Sequence, residues 1–491
     1  MVSAHRPHNS IDLRNIRTLP GWSDLDLVPS PELRQARSQR AGRRSRPFPT
    51  LIRVRQVAIF RGSIETLDPG HRRCGSPHGS FHQHKETIVM SIATPHIVRP
   101  MLLCSLACAS MQAHAVEPLS VEWDLRARHE HVADDAFANS ADATTLRLRL
   151  GLRGDFGHGW SALLEGEGIA NAGDNYNSGA NGRTAYPAVI DPTGAELDQA
   201  WVGWKNARFG ATLGRQRLIF DNQRWIGNVG WRQNEQTYDA LAFDLKANDA
   251  WNLRYAWLNK VHRVSGDDAR DPLARERDLS THLLSGAFKH DTQQWTGYVW
   301  LHDDRDVATA STATYGLRWT GTQKQGELTW GWTAELARQR DHADNPLDFS
   351  HSYWLLEPSL QAKGITWKFG WEHLGGDGRH ALQTPLATLH AFNGWADKFL
   401  VTPARGLDDV YISANGKAGK FAWVAAYHDY RADTASAALD HYGRELDLSL
   451  SRPLWKDWSG MVKVADYRAG DFARDTRKVW VQVEYRGRWV P

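Results

Sequence analysis
Cysteine is nearly missing from this 491-residue chain: Cys74, Cys104 and Cys108 are the only three. Beyond Cys108 that excludes thiol chemistry, cysteine-ligated metal and a disulfide framework. No run of about 18 apolar residues occurs, so no helix is expected to cross a bilayer, and mean hydropathy is −0.53. Neither G-x-S-x-G nor H-E-x-x-H is present, which argues against an enzyme of those types. His129 and His131 flank Glu130, but on a strand they share a face without a third ligand. They read as two solvated histidines near a rim. Asp267-Asp268 and Asp303-Asp304 lack EF-hand spacing. No metal and no cofactor is expected.

A basic surface for nucleic acid is also lacking. The net charge of +3 is unevenly spread. Residues 1–89 hold 15 basic against 7 acidic residues, a net of +8, whereas residues 116–491 hold 43 against 49, a net of −6. Residues 1–89 show no sustained periodicity and read as a basic, disordered extension outside the working protein. Met90 opens a signal-like segment. It has Arg99 in the n-region, an apolar stretch from Met101 to Ala109, and Ala113-His114-Ala115 as the cleavage site before Val116. A signal acts at an N-terminus, so translation is expected to begin at Met90, with 90–115 removed and 116–491 as the folded protein.

What the chain does have is alternation. In Thr145-Leu146-Arg147-Leu148-Arg149-Leu150-Gly151-Leu152-Arg153, leucines hold one parity and arginines the other. Alternate residues of a strand face opposite sides of its sheet. Such segments recur to the C-terminus, divided by turns that are short and long in turn, and the chain carries 23 tryptophans, a residue enriched at membrane interfaces. A Trp-rich soluble lectin is the alternative. The repetition, with charge kept to one face, instead predicts an all-β transmembrane antiparallel barrel of about eighteen strands, apolar outside and polar within. Short turns at one rim and long loops at the other place the N-terminus on the periplasmic side.

Parity assigns the lumen. Glu122, Asp124, Arg126 and Arg128 are expected inside, as are Arg147, Arg149, Arg153, Glu165 and Glu167. Arg254, Lys260, Arg318, Lys368, Glu372, Lys478 and Glu484 follow. The inward arginines would form an electropositive path for an anion, with Glu165, Glu167 and Glu372 as balancing charges. The competing reading is a lumen of compensating, unselective ion pairs.

Two stretches go beyond barrel patterning. One runs Gly214-Arg215-Gln216, Asp221, Arg224-Trp225-Ile226-Gly227 and Gln236-Thr237-Tyr238-Asp239-Ala240; the other runs from Leu382 through Pro385, Trp395 and Leu400 to Thr402-Pro403 and Gly406-Leu407. They resemble the alginate export family of outer-membrane proteins, from roughly Leu119 to the C-terminus. The resemblance implies a monomeric eighteen-stranded barrel whose arginine-lined lumen passes a polyuronate. It implies that Arg215, Arg224 and Arg232 line the lumen or a constriction. It also implies that segment 382–408 folds at or into the mouth, with Pro385, His390, Phe392, Asn393, Trp395, Asp397 and Lys398 as constriction residues. Pro385 and Pro403 bar ladder pairing, and Phe392, Trp395 and Phe399 would give the loop a small core of its own. Two departures stand out. Any anion path must be local in a net-acidic chain. The chain ends Arg488-Trp489-Val490-Pro491, so Tyr485 is expected to close the last strand and six residues to trail. The function expected is an outer-membrane channel for passive passage of an anionic saccharide or small anionic solute. The alternative is a loop-plugged structural or surface-binding barrel. The expected partners are that anion and outer-membrane lipid.

Overall fold
A computed structural model describes residues 117–491. The extension 1–89, the signal segment 90–115 and the cleavage after Ala115 lie outside the described residues. Eighteen antiparallel strands form one sheet. They are β1 (Glu117–Asp134), β2 (Ala141–Asp155), β3 (Trp160–Asn175), β4 (Gly194–Lys205), β5 (Phe209–Gln216) and β6 (Thr237–Lys246). Next come β7 (Trp251–His262), β8 (Glu276–His290), β9 (Gln293–His302), β10 (Thr312–Gln325), β11 (Leu328–Asp341) and β12 (Ser350–Ala362). The last are β13 (Ile365–Leu374), β14 (Leu407–Ala418), β15 (Phe421–Ser436), β16 (Leu439–Trp455), β17 (Trp458–Ala469) and β18 (Thr476–Trp489). Each strand pairs with its sequence neighbour and β1 also pairs with β18, which closes the barrel. Closure satisfies every edge, the condition for spanning lipid with strands.

Parity holds on β2, where Leu146, Leu148, Leu150 and Leu152 are exposed while Arg147 and Arg149 are buried. Glu117 pairs with Asp155, the residue before the short β2–β3 turn, so the described N-terminus lies at the short-turn rim. Two expectations need correction. No six-residue tail follows Tyr485, because β18 continues to Trp489, which pairs with Val121. Lys260 does not face the lumen. A bulge between Leu258 and Lys260 flips the parity, so Leu258 and Val261 are both buried and Lys260 turns to Glu276 and Asp278.

The lumen is not polar throughout. The main hydrophobic core lies inside the barrel. Leu218, Phe220, Trp225, Ile226, Leu382, Leu386 and Phe399 pack there against inward Tyr238, Leu258, Trp300, Tyr353, Tyr430 and Tyr467. The first seven come from the β5–β6 and β13–β14 loops. Both loops therefore fold into the barrel, driven by burial worth about 1.5–3 kcal/mol per large apolar side chain.

Candidate pore and its inward-folded loops
The two stretches singled out in the sequence meet in the lumen. Ile226 and Leu386 form a parallel bridge. The Gly227 amide donates to Leu386 O (2.9 Å), and the Thr388 amide donates to Gln223 O (3.0 Å). Gln236 and the Tyr238 hydroxyl each donate to the carbonyls of both Gly227 and Leu386. Arg224 locks this unit to β13. It donates to Glu372 (2.7 Å) and Thr384 (3.3 Å) and to Asn393 Oδ1 (3.2 Å), and lies over the Phe392 ring. Glu372 also accepts from Tyr353 and Asn393. At 1% exposure, Arg224 is a fastener and not a pore lining.

The β1–β2 arginines hold the same unit from the other wall. Arg126 donates to the carbonyls of Gly230, Trp231 and Arg232. Arg128 donates to Trp231 O (2.6 Å) and lies 4.2 Å over its ring. Arg147 and Arg149 both reach Gln233 O. Carboxylates neutralise the cluster: Glu484 beside Arg126, Asp124 beside Arg147 (2.6 Å), and Glu167 and Glu235 beside Arg149. Buried backbone carbonyls need donors, and these guanidinium groups supply them. Glu165 takes Gln199 and Arg217 as partners.

The segment 382–408 does not enclose a core of its own. Phe399 packs among Tyr430, Tyr442, Tyr467 and Phe472. The Lys463 ammonium lies 3.6 Å over Trp395, and Phe392 meets Arg224. The loop is too thin to bury three aromatics by itself, so the barrel wall receives them. Gly394, at φ 83°, passes against Tyr430 and Glu445, where a side chain would not fit. His390 Nδ1 donates to Asp397 (2.7 Å) and Nε2 accepts from Lys463 Nζ (2.7 Å). Burial first, with Lys463 adding to it, pushes the His390 imidazole down to about 3. Burial would raise Asp397, but His390, Lys478 and Arg232 outweigh it and hold the carboxyl well below its usual range.

Two cavities flank the inward-folded unit. One, of about 910 Å³, opens among the long loops, with Val229, Arg232, Gln236, Pro385, His390, Asp397 and Lys398 in its lining. The other, of about 580 Å³, is lined by Arg126, Arg149, Arg217, Asn228, Gly230, Glu235 and residues of β1 and β18. Residues 228–236 thus lie between them. Six cations face the first cavity, namely Arg232, Arg263, Arg277, Arg379, Lys398 and Lys478, against two carboxylates, Asp134 and Asp397. Among the described residues, Arg263 and Arg379 have no carboxylate within ion-pair distance. Burial and the neighbouring Arg277 both push the Arg263 guanidinium down.

The remaining sequence-named residues scatter. Arg254 binds Asp244 and lies over Phe220, Arg318 pairs with Glu335, and Lys368 pairs with Glu357. Arg215 does not face the lumen. It sits two residues beyond exposed Leu213, donates to Asp239 and to Leu197 O, and so belongs to the outer row. His129 and His131 are also outward, bonded to Thr144 and Asp142. Sequence reading missed Arg217, Arg263, Arg277 and Arg379. Three of these sit in loops and Arg277 sits beside a loop end, where parity gives no signal.

An eighteen-stranded closed barrel with short turns at one rim, long loops at the other and loops folded into its lumen is an outer-membrane channel of the porin type. The chain belongs to the alginate export family, whose model matches residues 117–372; the match ends within β13, before the second inward-folded loop. The fold is similar to solved outer-membrane barrels. Pseudomonas aeruginosa OpdK is 14% identical at a TM-score of 0.60, covering 76% of this chain and 99% of that one. Acinetobacter baumannii OccAB4 is 11% identical at 0.62, with coverage of 76% and 99%. OpdK with vanillate is 13% identical at 0.60, with the same coverage. No curated protein matches the chain.

Proposed function
We propose that this outer-membrane channel passes organic anions by diffusion, gathered in the long-loop cavity. The observation that carries this reading is six cations against two carboxylates around that cavity, with Arg263 and Arg379 uncompensated. A cleft of one charge sign concentrates its counter-ion. The anion path expected of the β1–β2 arginines is accordingly placed elsewhere: those side chains fasten the loop unit, and the cavity cations select.

An anionic saccharide and a small anionic solute both satisfy the charge. The lining also includes Phe137, Ile190, Leu347, Phe349, Leu400 and Val401, which favours a small carboxylate with an apolar body over a fully hydrated polyuronate. OpdK, a similar fold, is solved with vanillate. The second reading is a barrel plugged by its own loops and acting as a structural or surface-binding protein; the fastening of residues 228–236 across the lumen favours it. Planar-bilayer conductance under a salt gradient separates the two. Stable steps with an anion-favouring reversal potential, blocked by an aromatic carboxylate more than by oligouronates, support the small-solute channel. Stronger block by oligouronates would move the substrate back to a saccharide. A silent bilayer from a heat-modifiable, folded barrel would overturn the channel reading in favour of the plug.

A further inference from the structure
The outward face of β15–β18 carries a row of arginines at the long-loop end. Arg431, Arg444, Arg468 and Arg477 have side chains 55–57% exposed. The register sets them side by side: Arg444 opposes Arg468 and Asp429, and Arg477 opposes Asp466. One outward step below lie Tyr427 and Leu446, and further down Val462 and Val481, all exposed. These belong to the apolar band. A guanidinium facing lipid is far more costly at the bilayer midplane than near the interface, so the row marks where acyl chains give way to headgroups.

Three aspartates fix the row. Asp429 holds Arg431 and Arg444, Asp466 holds Arg468 and Arg477, and Asp475 also takes Arg468. Four guanidinium groups thus share three carboxylates, and each keeps more than half of its side chain exposed. Further round the barrel Arg338 and Arg340 stand above exposed Leu336. They bond Ser350 and Tyr315, with no carboxylate partner among the described residues. Planar guanidinium forks match phosphate oxygens, and arginine clusters at a membrane surface read as sites for anionic headgroups. Long loops face the cell exterior in such barrels, where the outer leaflet is built of phosphate-bearing glycolipid.

We propose that the β15–β18 arginine row is a binding site for the phosphates of the outer-leaflet glycolipid. The site sits on the lipid side of the wall and is independent of what passes through the lumen. The full-length barrel, purified in mild detergent from its own outer membrane, tests this by mass spectrometry of retained glycolipid. A variant carrying Arg431→Gln, Arg444→Gln, Arg468→Gln and Arg477→Gln should retain on the order of tenfold less. A control removing Lys363, Lys417, Lys420 and Lys456 from the short-turn rim should retain the wild-type amount. Heat modifiability reports whether each variant is folded. Delipidated wild-type protein should rebind the glycolipid but not its dephosphorylated form, a comparison that needs no variant. Equal rebinding of both forms, or undiminished retention by the folded four-arginine variant, would overturn the proposal.

Discussion

Two groups of cations inside one barrel do different work. The β1–β2 arginines alternate with lipid-facing leucines and are nearly sealed from solvent: Arg147 is at 0% and Arg128 at 2% exposure. Their donors are taken by carbonyls of residues 230–233 and by carboxylates. The cations of the long-loop cavity come from three loops and two strand ends, and two of them have no anionic partner among the described residues. Abundance of positive charge on a strand is therefore a poor guide to where an anion would be held. What matters is whether the charge already has a partner, and a loop folded into a barrel is a large supplier of partner carbonyls.

The comparison breaks most forcefully at the fastening arginines. Replacing Arg126 and Arg147 with alanine strips the Gly230 and Arg232 carbonyls of their guanidinium donor and leaves Glu484 and Asp124 with Arg486 alone. Breaking a buried pair costs about 3–5 kcal/mol. Thermal melting should fall markedly, and single-channel conductance should rise as residues 230–233 come loose. Anion preference should survive. If the reversal potential collapses instead, these arginines are the filter and the two groups have been assigned the wrong way round.

Arg263→Gln with Arg379→Gln tests the other side. Neither side chain holds a carboxylate, so the melting temperature should hardly move. The permeability ratio for anions should drop about threefold, an effect that salt screens. An unchanged ratio would remove the cavity from the selectivity argument.

The sequence made the barrel legible because one parity had to be apolar. Most of the strands follow that alternation, and short turns such as 155–160 carry obvious punctuation. The filled lumen was written less openly. Tyr255-Ala256-Trp257-Leu258 and Tyr298-Val299-Trp300-Leu301 are apolar on both parities, the pattern of a strand buried on both faces, and Leu258 and Trp300 do contact the inward loops. Nothing local, by contrast, tells that Arg224 reaches Glu372 across 148 residues, or that Arg263 would be left without a partner. Lys260 was misplaced by a single bulge, which parity cannot foresee.

Acid should loosen the fastening without touching the uncompensated cations. Docked His390 titrates at about 3 instead of its ordinary 6.5. An undocked loop thus binds more protons throughout that window, and docking weakens as pH falls from about 6.5 towards 3. Asp397, whose carboxyl is depressed when docked, contributes in the same direction, its support lost only at the acid end as it protonates. Current noise and mean conductance should increase on acidification. His390→Gln should flatten that dependence over the upper part of the window; an unchanged profile would show that the ring does not couple to the loop.

Arg215 supplies the smallest expected effect and the sharpest check on facing. It lies in the conspicuous Gly214-Arg215-Gln216 stretch, which makes it an obvious choice for a lumen residue, yet it shares the outer row with Leu213 and pairs with Asp239 across the β5–β6 ladder. A partly exposed pair of this kind contributes about 0–1 kcal/mol. Arg215→Gln should leave conductance, reversal potential and carboxylate block at wild-type values, with at most a small fall in melting temperature. A change in anion preference from this one substitution would mean that the guanidinium reaches the permeation path, and the parity argument that separates the wall's two faces would fail at the strand where the family resemblance is most visible.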